Sequence, residues 1–225
     1  MSVLACPTDK EPLLVLLSRI PKDIFAAAGK GQNEVVSLIL DSQKNIVNFK
    51  RATVNFAGIA QPTLCHYTFS FLPPGDYDCR VVIRNLETGQ TAVASESVLI
   101  PGTSDVPLAL LPPLLLQPEA DTYYFGVQKT QEAEADASTI SLTALYPFDA
   151  KEFSPLLDEL PSGSPKVYVM VVCALGDISE PELELTFFLK EDPLGTEIPI
   201  PHSVLSAKQY SRDEEKKSWR SPVSC

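Results

Sequence analysis

Apolar and polar residues alternate along much of this chain with a period of two. Tyr77, Cys79, Val81 and Ile83 share one side of such a run, and Asp78, Arg80, Val82 and Arg84 the other. Just upstream, Cys65, Tyr67, Phe69 and Phe71 share one side, and His66, Thr68 and Ser70 the other. Successive strand side chains point to opposite faces, so this alternation predicts half-buried β-strands with their apolar residues inward. Between the two runs lies Leu72-Pro73-Pro74-Gly75, which predicts a hairpin turn. In that pairing Phe71 faces Tyr77, and Phe69 faces Cys79. Further strands are predicted over residues 12–20, 46–56 and 90–100, with turns at 41–45 and 86–89. Val35 to Leu40 is a continuous apolar run, as in a strand buried on both faces. Residues 22–31 read as a loop or at most one helical turn, closed by Gly29 and Gly31.

The pattern resumes beyond Ile100. Leu108 to Leu116 predicts a strand interrupted by Pro112-Pro113, so an edge or a bulge. Tyr123 to Gln128 predicts another. Thr139 to Leu145 alternates, with Ile140 and Leu142 inward. Ser154-Pro155 resembles an N-cap and first helical residue, predicting a short helix over 154–160. Lys166 to Cys173 reads as a central strand, Pro181 to Leu189 as an alternating one, and Ile198 to Ile200 as a last short one. Many short strands separated by turns, with no long helical periodicity, predict an all-β class: two antiparallel Ig-like or fibronectin-III-like β-sandwich domains in tandem.

Charge sharpens the division. Residues 1–104 carry nine basic and nine acidic side chains, and residues 105–207 four basic and seventeen acidic ones. With Pro101-Gly102-Thr103-Ser104-Asp105 as linker, the expected domains are 1–104, near neutral, and 105–207, acidic. Residues 208–225 are polar and predict a disordered tail. A net charge of −11 argues against binding nucleic acid, whose phosphates need Lys and Arg. No apolar run reaches the ~18 residues of a membrane span, so no membrane insertion is expected. No signal peptide is read at the N-terminus, which lacks a charged n-region and a long apolar h-region.

Candidate chemistry fares poorly. Cys65 and His66 are adjacent on a strand and point to opposite faces, so they do not share a metal ion. In the predicted hairpin Cys65 and Cys79 lie roughly 13 Å apart, too far for a disulfide, whose Cα atoms lie within about 7 Å; both read as buried thiols. Ser70, His66 and Asp78 share the predicted outer face, but Ser70 and His66 are again roughly 13 Å apart, too far for a nucleophile and its base. Asp136-Ala137-Ser138-Thr139-Ile140 approaches a D-x-S-x-S metal loop but ends in Ile140, which has no oxygen ligand. Glu132, Glu134 and Asp136 alternate with alanine and lack an EF-hand-like loop, so they read as a solvated acidic face that also guards a strand edge. No catalytic residue, metal ligand or cofactor is expected. The candidate partner-binding surface is the outer face of the predicted hairpin: Thr68, Arg80, Val82 and Arg84.

Three segments in order carry a family resemblance: "FLPPGDYDCRVVIRNLETGQTAVAS" followed by "VLIP", then "LTALYPFDAKEFSPLLDELPSG", then "EPELELTFFL". Together they resemble the C-terminal β-sandwich region that follows the A domain in bacterial von Willebrand factor A-related proteins. The resemblance spans about residues 12–200 and does not include the A domain, so that domain's metal site has no counterpart here. It implies a pair of β-sandwich modules, and export to the cell envelope. The expected function is a non-enzymatic structural or protein-interaction module, a spacer or scaffold whose partner is another protein. The alternative is a small-ligand or carbohydrate-binding sandwich, with Tyr123, Tyr124 and Phe188 as candidate aromatics. An enzyme with a site at the domain junction is the third reading.

Overall fold

The structure is a computed structural model, and it describes residues 1–8, 11–21, 32–102, 108–119, 121–126, 141–157, 167–175, 186–189, 196, 198–199, 211–213 and 218–220. It is all-β, with its strands in mainly antiparallel sheets. Compactness divides the chain into two units, Met1–Gly176 and Asp177–Cys225.

The first unit is organised by two four-stranded sheets. Sheet I takes the order β1-β2-β5-β10, from β1 (Ser2–Cys6), β2 (Leu13–Pro21), β5 (Thr63–Phe71) and β10 (Thr122–Gly126). Sheet II takes the order β4-β3-β6-β7, from β3 (Gln32–Asp41), β4 (Ile46–Asn55), β6 (Gly75–Asn85) and β7 (Thr91–Ile100). A single 3-10 turn, Phe56–Gly58, follows β4, capped by the Asn55 side chain. All pairings within the two sheets are antiparallel except β10 with β5, which is parallel.

The two sheets face each other through two apolar clusters. One contains Ile20 of β2, Leu64 of β5 and Phe125 of β10 against Val35 of β3 and Val81 and Ile83 of β6. The other contains Leu14 and Leu16 of β2 against Ile39 of β3, Tyr77 and Cys79 of β6 and Ile100 of β7. β2 explains the centre of the molecule. Its run Leu13 to Leu17 is wholly buried, Leu14 and Leu16 toward sheet II and Leu13, Val15 and Leu17 toward the other side. An unbroken apolar run is what a strand covered on both faces requires.

That other side is a third layer. It comprises β9 (Leu114–Pro118) flanked by β11 (Phe153–Pro155) and β12 (Tyr168–Met170), with the one-turn helix α1 (Leu142–Leu145). Leu111, Leu114, Leu116, Leu142, Tyr146 and Phe148 pack here against Leu4, Cys6, Leu13, Val15 and Leu17. The Tyr146 hydroxyl donates to the Pro112 carbonyl at 2.8 Å. The short strands β8 (Leu108–Leu110) and β13 (Cys173–Leu175) pair beside it. In the second unit, β14 (Phe188–Leu189) pairs with β15 (Ile198–Pro199), and β16 (Ser211–Asp213) with β17 (Ser218–Arg220), the latter within the stretch expected to be a disordered tail.

Several expectations are corrected. β5 and β6 are not a hairpin: β5 pairs with β2 and β10, and β6 with β3 and β7. The Leu72–Gly75 segment crosses from one sheet to the other. Pro73 and Pro74 hold φ near −65°, whereas a two-residue hairpin loop favours positive φ. The Tyr77 hydroxyl instead ties the corner, donating to the Pro73 carbonyl at 2.9 Å. Residues 142–145 form α1, with Ser141 as N-cap, where a strand was expected. Residues 153–155 form β11 where a helix was expected, because Pro155 lies opposite Leu116 in an antiparallel pair. The run 166–173 divides into β12 and the start of β13. The charge step at Gly102 is not a break in packing. β10 lies beyond it and is bonded to β5, and Leu114 and Leu116 share a cluster with β1 and β2. The 22–31 loop and the acidic stretch at 131–138 lie outside the described residues.

Candidate functional site

Three of the four expected surface residues come together. β6 is flanked by β3 and β7, and its alternation is kept: Tyr77, Cys79, Val81 and Ile83 are buried, while Arg80 and Arg84 are exposed and Val82 half-buried. Cross-strand register builds the face around them. Val82 lies between Val36 and Val93, Arg80 between Leu38 and Ser95, and Arg84 between Glu34 and Thr91. Phe49 and Arg51 of β4 complete the rows through Leu38 and Val36. Phe49 is 55% exposed, Val93 61% and Leu99 65%. The outer face of an antiparallel sheet is ordinarily polar; this one is substantially apolar.

Its charges are unequal. Arg51 is paired with Glu34, and Lys44 with Asp78. Asp78 also accepts from the Ser97 hydroxyl at 2.7 Å, and these bonds, Lys44 first, hold its carboxyl below the usual range. Asp76 is exposed at the end of the same face. Arg80 and Arg84 make no ion pair within 4 Å among the described residues, although the Arg80 charge helps to hold the Asp78 carboxyl down and Arg84 lies beside Glu34 in register.

Thr68 is elsewhere. It is buried on the inner face of β5, with His66 and Ser70, in the space between the two sheets. Ser18 of β2 lies opposite His66 in register, and Ser37 of β3 faces in from sheet II. Together they form a polar band between the two apolar clusters. The side-chain polar atoms of Ser18, Ser37, His66, Thr68 and Ser70 have no hydrogen-bond partner among the described residues. Lys50 enters from β4 and donates to the Phe69 carbonyl. Burial, and then the Lys50 charge, push His66 down to about 4, so the ring is neutral at pH 7. It stacks obliquely on Phe125, centroids 5.4 Å apart.

This band is no catalytic triad. His66 and Ser70 are four residues apart on one strand, roughly 13 Å, and Asp78 points out from the far side of sheet II. Three described cysteines are equally inert. Cys6, Cys65 and Cys79 are free and buried, and desolvation pushes their thiols up to about 11, 12 and 12. A reactive cysteine needs thiolate near neutral pH, hence a lowered pKa and access. Cys65 faces the third layer and Cys79 faces sheet I, so the two are not on one face. Among the described residues no three His, Cys, Asp or Glu side chains are grouped to hold a metal ion.

A second polar node went unnoticed in the sequence. Glu119 accepts from Thr63 at 2.6 Å, Ser154 at 2.6 Å, Gln117 at 2.8 Å and Arg19 at 3.0 Å. Burial raises its pKa, but hydrogen bonds from Ser154 and Thr63, the Arg19 charge and the Gln117 amide outweigh that and hold it below the usual range. Every lone-pair direction is used, so the carboxylate is a clamp between sheet I and the third layer, not a free acid or base. The only signal in the sequence was an isolated acid after the Pro118 that ends β9. The aromatics considered for ligand stacking do not make a platform. Tyr124 is turned inward and donates to the Phe153 carbonyl at 3.0 Å. Tyr123 is 38% exposed and stacks on Phe125, and Phe188 lies in the other unit.

Compared with models of known families, with curated proteins and with solved structures, the chain shows no match.

Proposed function

We propose that this chain is a non-enzymatic protein-interaction module of the Ig-like or fibronectin-III-like kind, working through the outer face of sheet II. The observation that carries the reading is that face: Phe49, Val93 and Leu99 more than half exposed, with Arg80 and Arg84 exposed on either side of Val82. An apolar patch rimmed by charge marks an interaction site more often than a solvated surface. The kinship to Ig-like domains rests on two features. Strands β1-β2-β5 oppose β4-β3-β6-β7. Tyr77 bonds back to Pro73 at the corner between the sheets, two residues before Cys79, which is the arrangement of a tyrosine corner. The buried thiols, the neutral interior His66 and the saturated Glu119 favour binding over catalysis. The resemblance to the region after the A domain of von Willebrand factor A-related proteins fits a spacer or scaffold that carries a docking face, and it is the reason to look for the chain in a bacterial cell envelope.

The test is site-specific photocrosslinking of the full chain in its native cells. A benzophenone side chain at Val82 should give a discrete crosslinked protein, and one at Thr88, in the exposed 86–89 turn, should not. The Val82 product should vanish on Arg80→Glu with Arg84→Glu. Equal crosslinking at both positions, or indifference to the arginines, would remove the reading. So would turnover of a substrate abolished by a single substitution.

A further inference from the structure

We propose that the partner of this module contributes an extended segment that pairs with the free edge of β4 and so adds a strand to sheet II. This partner chemistry presupposes that the outer face of sheet II is a docking face, and it names what lies beside that face.

β4 is an outer strand of sheet II and pairs with β3 alone among the described residues. The opposite edge is partly covered, since Val3 and Ala5 of β1 share a cluster with Val98 and Ile100 of β7. Backbone bonds show which β4 groups face outward. The Leu86 amide donates to the Gln32 carbonyl, so Gln32 turns its backbone toward β6. Backbone direction alternates along an antiparallel strand, so Asn33, Val35 and Ser37 turn theirs toward β4. Their register partners are Val54, Ala52 and Lys50. Phe49, Arg51 and Thr53 alternate with these and therefore direct N–H and C=O away from β3, along the edge. Strand edges are commonly guarded by proline, bulges or charge. β4 has no proline, glycine or acid. Its one irregularity falls at the Ile46 end, opposite Ile39 and Leu40. Both of its charges are engaged within the chain: Arg51 with Glu34, and Lys50 with the Phe69 carbonyl. Val54 packs against the cluster that holds Val35 and Val81, which fixes the strand in place. A fixed row of outward N–H and C=O groups takes an extended chain.

Register favours a strand from another protein over a second β4. Two β4 strands would meet antiparallel about a twofold axis, with directly opposed residues on one face. Over the regular stretch from Asn48 to Asn55, centring the axis on Lys50 or Arg51 sets like charges together. Centring it on Ala52 or beyond sets Phe49 against Asn55 or leaves it unmatched. Centring it on Phe49 pairs only Asn48 to Lys50 before the irregularity is reached. A foreign strand is free of this symmetry. Apolar side chains at its alternate positions can lie beside the exposed Phe49 and extend the outer face through Leu38.

The first measurement is amide hydrogen exchange, by NMR, on the purified full chain. The amides of Phe49, Arg51 and Thr53 should exchange fast, and those of Lys50 and Ala52 slowly. Slow exchange at all of them would mean that the chain covers its own edge, and would overturn the proposal. The second is photocrosslinking in the native cells, with benzophenone at Phe49 and at Thr53 in turn. Both should capture the protein that Val82 captures, at partner residues about four apart on one segment. Attachment to scattered segments, or to a second copy of the chain, would overturn it. Thr53→Pro removes an outward N–H and no bond to β3. It should unfold thermally like the wild type and lower the yield of the Val82 crosslink about tenfold. Thr53→Val, which keeps the amide, should leave that yield unchanged. Phe49→Pro takes the place of Thr53→Pro if the latter does not fold. A Val82 crosslink that needs Arg80 and Arg84 but ignores the proline would leave the docking face standing and exclude strand addition.

Discussion

β5 and β6 are consecutive strands, both alternate in polarity, and they use the alternation in opposite ways. β6 buries its apolar side, Tyr77, Cys79, Val81 and Ile83, and shows its polar side to solvent. β5 has no solvent side along most of its length. Tyr67 and Phe69 turn toward the third layer, and His66, Thr68 and Ser70 are enclosed between the sheets. The difference is the number of layers on each strand. Period two fixes which residues share a face, but it does not say which face meets water. That depends on what covers the strand, and β5 belongs to the middle sheet of three.

The contrast can be broken most severely by charge. Thr68→Lys would place an ammonium between two sheets, while Val82→Lys adds one to an open face. The first should cost about 4 kcal/mol or more, if the chain folds at all. The second should change stability by about 0.5 kcal/mol or less. Urea unfolding monitored by circular dichroism measures both. Equal effects would mean that Thr68 is as accessible as Val82.

The next effect is read through pH. His66 has a folded pKa near 4, below the ordinary value of 6.5, because burial disfavours the imidazolium. Below pH 6.5 the unfolded chain therefore takes a proton that the folded chain refuses. Stability falls as pH drops from about 6.5 to about 4, by roughly 3 kcal/mol in all. His66→Gln, which cannot be charged, should flatten that part of the profile. A profile unchanged by the substitution would place His66 in contact with water.

Removal of Glu119 has a smaller effect. Its folded pKa is depressed, so its contribution is full above the unfolded carboxylate value near 4.5 and is lost as pH falls through the folded value. Glu119→Ala removes one acceptor shared by Thr63, Ser154, Gln117 and Arg19, at a cost of about 1–3 kcal/mol. Calorimetry at pH 7 and at pH 3 separates the two statements. The deficit of the variant should shrink at the lower pH, and a deficit independent of pH would assign the loss to packing instead.

The all-β class was legible because alternation, turn residues and short apolar runs all agree with it. The Arg80, Val82 and Arg84 face was legible because β6 has one solvent side, the condition under which alternation can be read directly. Thr68 was assigned to the surface because polar residues at every second position look the same whether water or another sheet lies above them. The third layer was concealed by charge. The acid excess after Gly102 resembles a separate domain, yet Leu114 and Leu116 are buried against β2. Glu119 could not be placed from sequence, since its four partners come from β2, β5, β9 and β11.

The smallest expected effect sharpens the same comparison at the corner that joins the two strands. Tyr77 is 7% exposed, and its hydroxyl donates to Pro73 across the crossover. Tyr77→Phe keeps the ring in the cluster with Leu14, Leu16 and Ile100 and removes one hydrogen bond. A single neutral bond of this kind contributes about 1 kcal/mol, so the variant should unfold at slightly lower urea with an unchanged slope. Pro73 supplies no backbone N–H, and its carbonyl would lose the partner seen here. The loss should therefore appear in the unfolding rate, with folding slowed only if the corner forms early. A Tyr77→Phe variant as stable as the wild type would mean that Pro73 and Pro74 alone turn the chain from one sheet to the other.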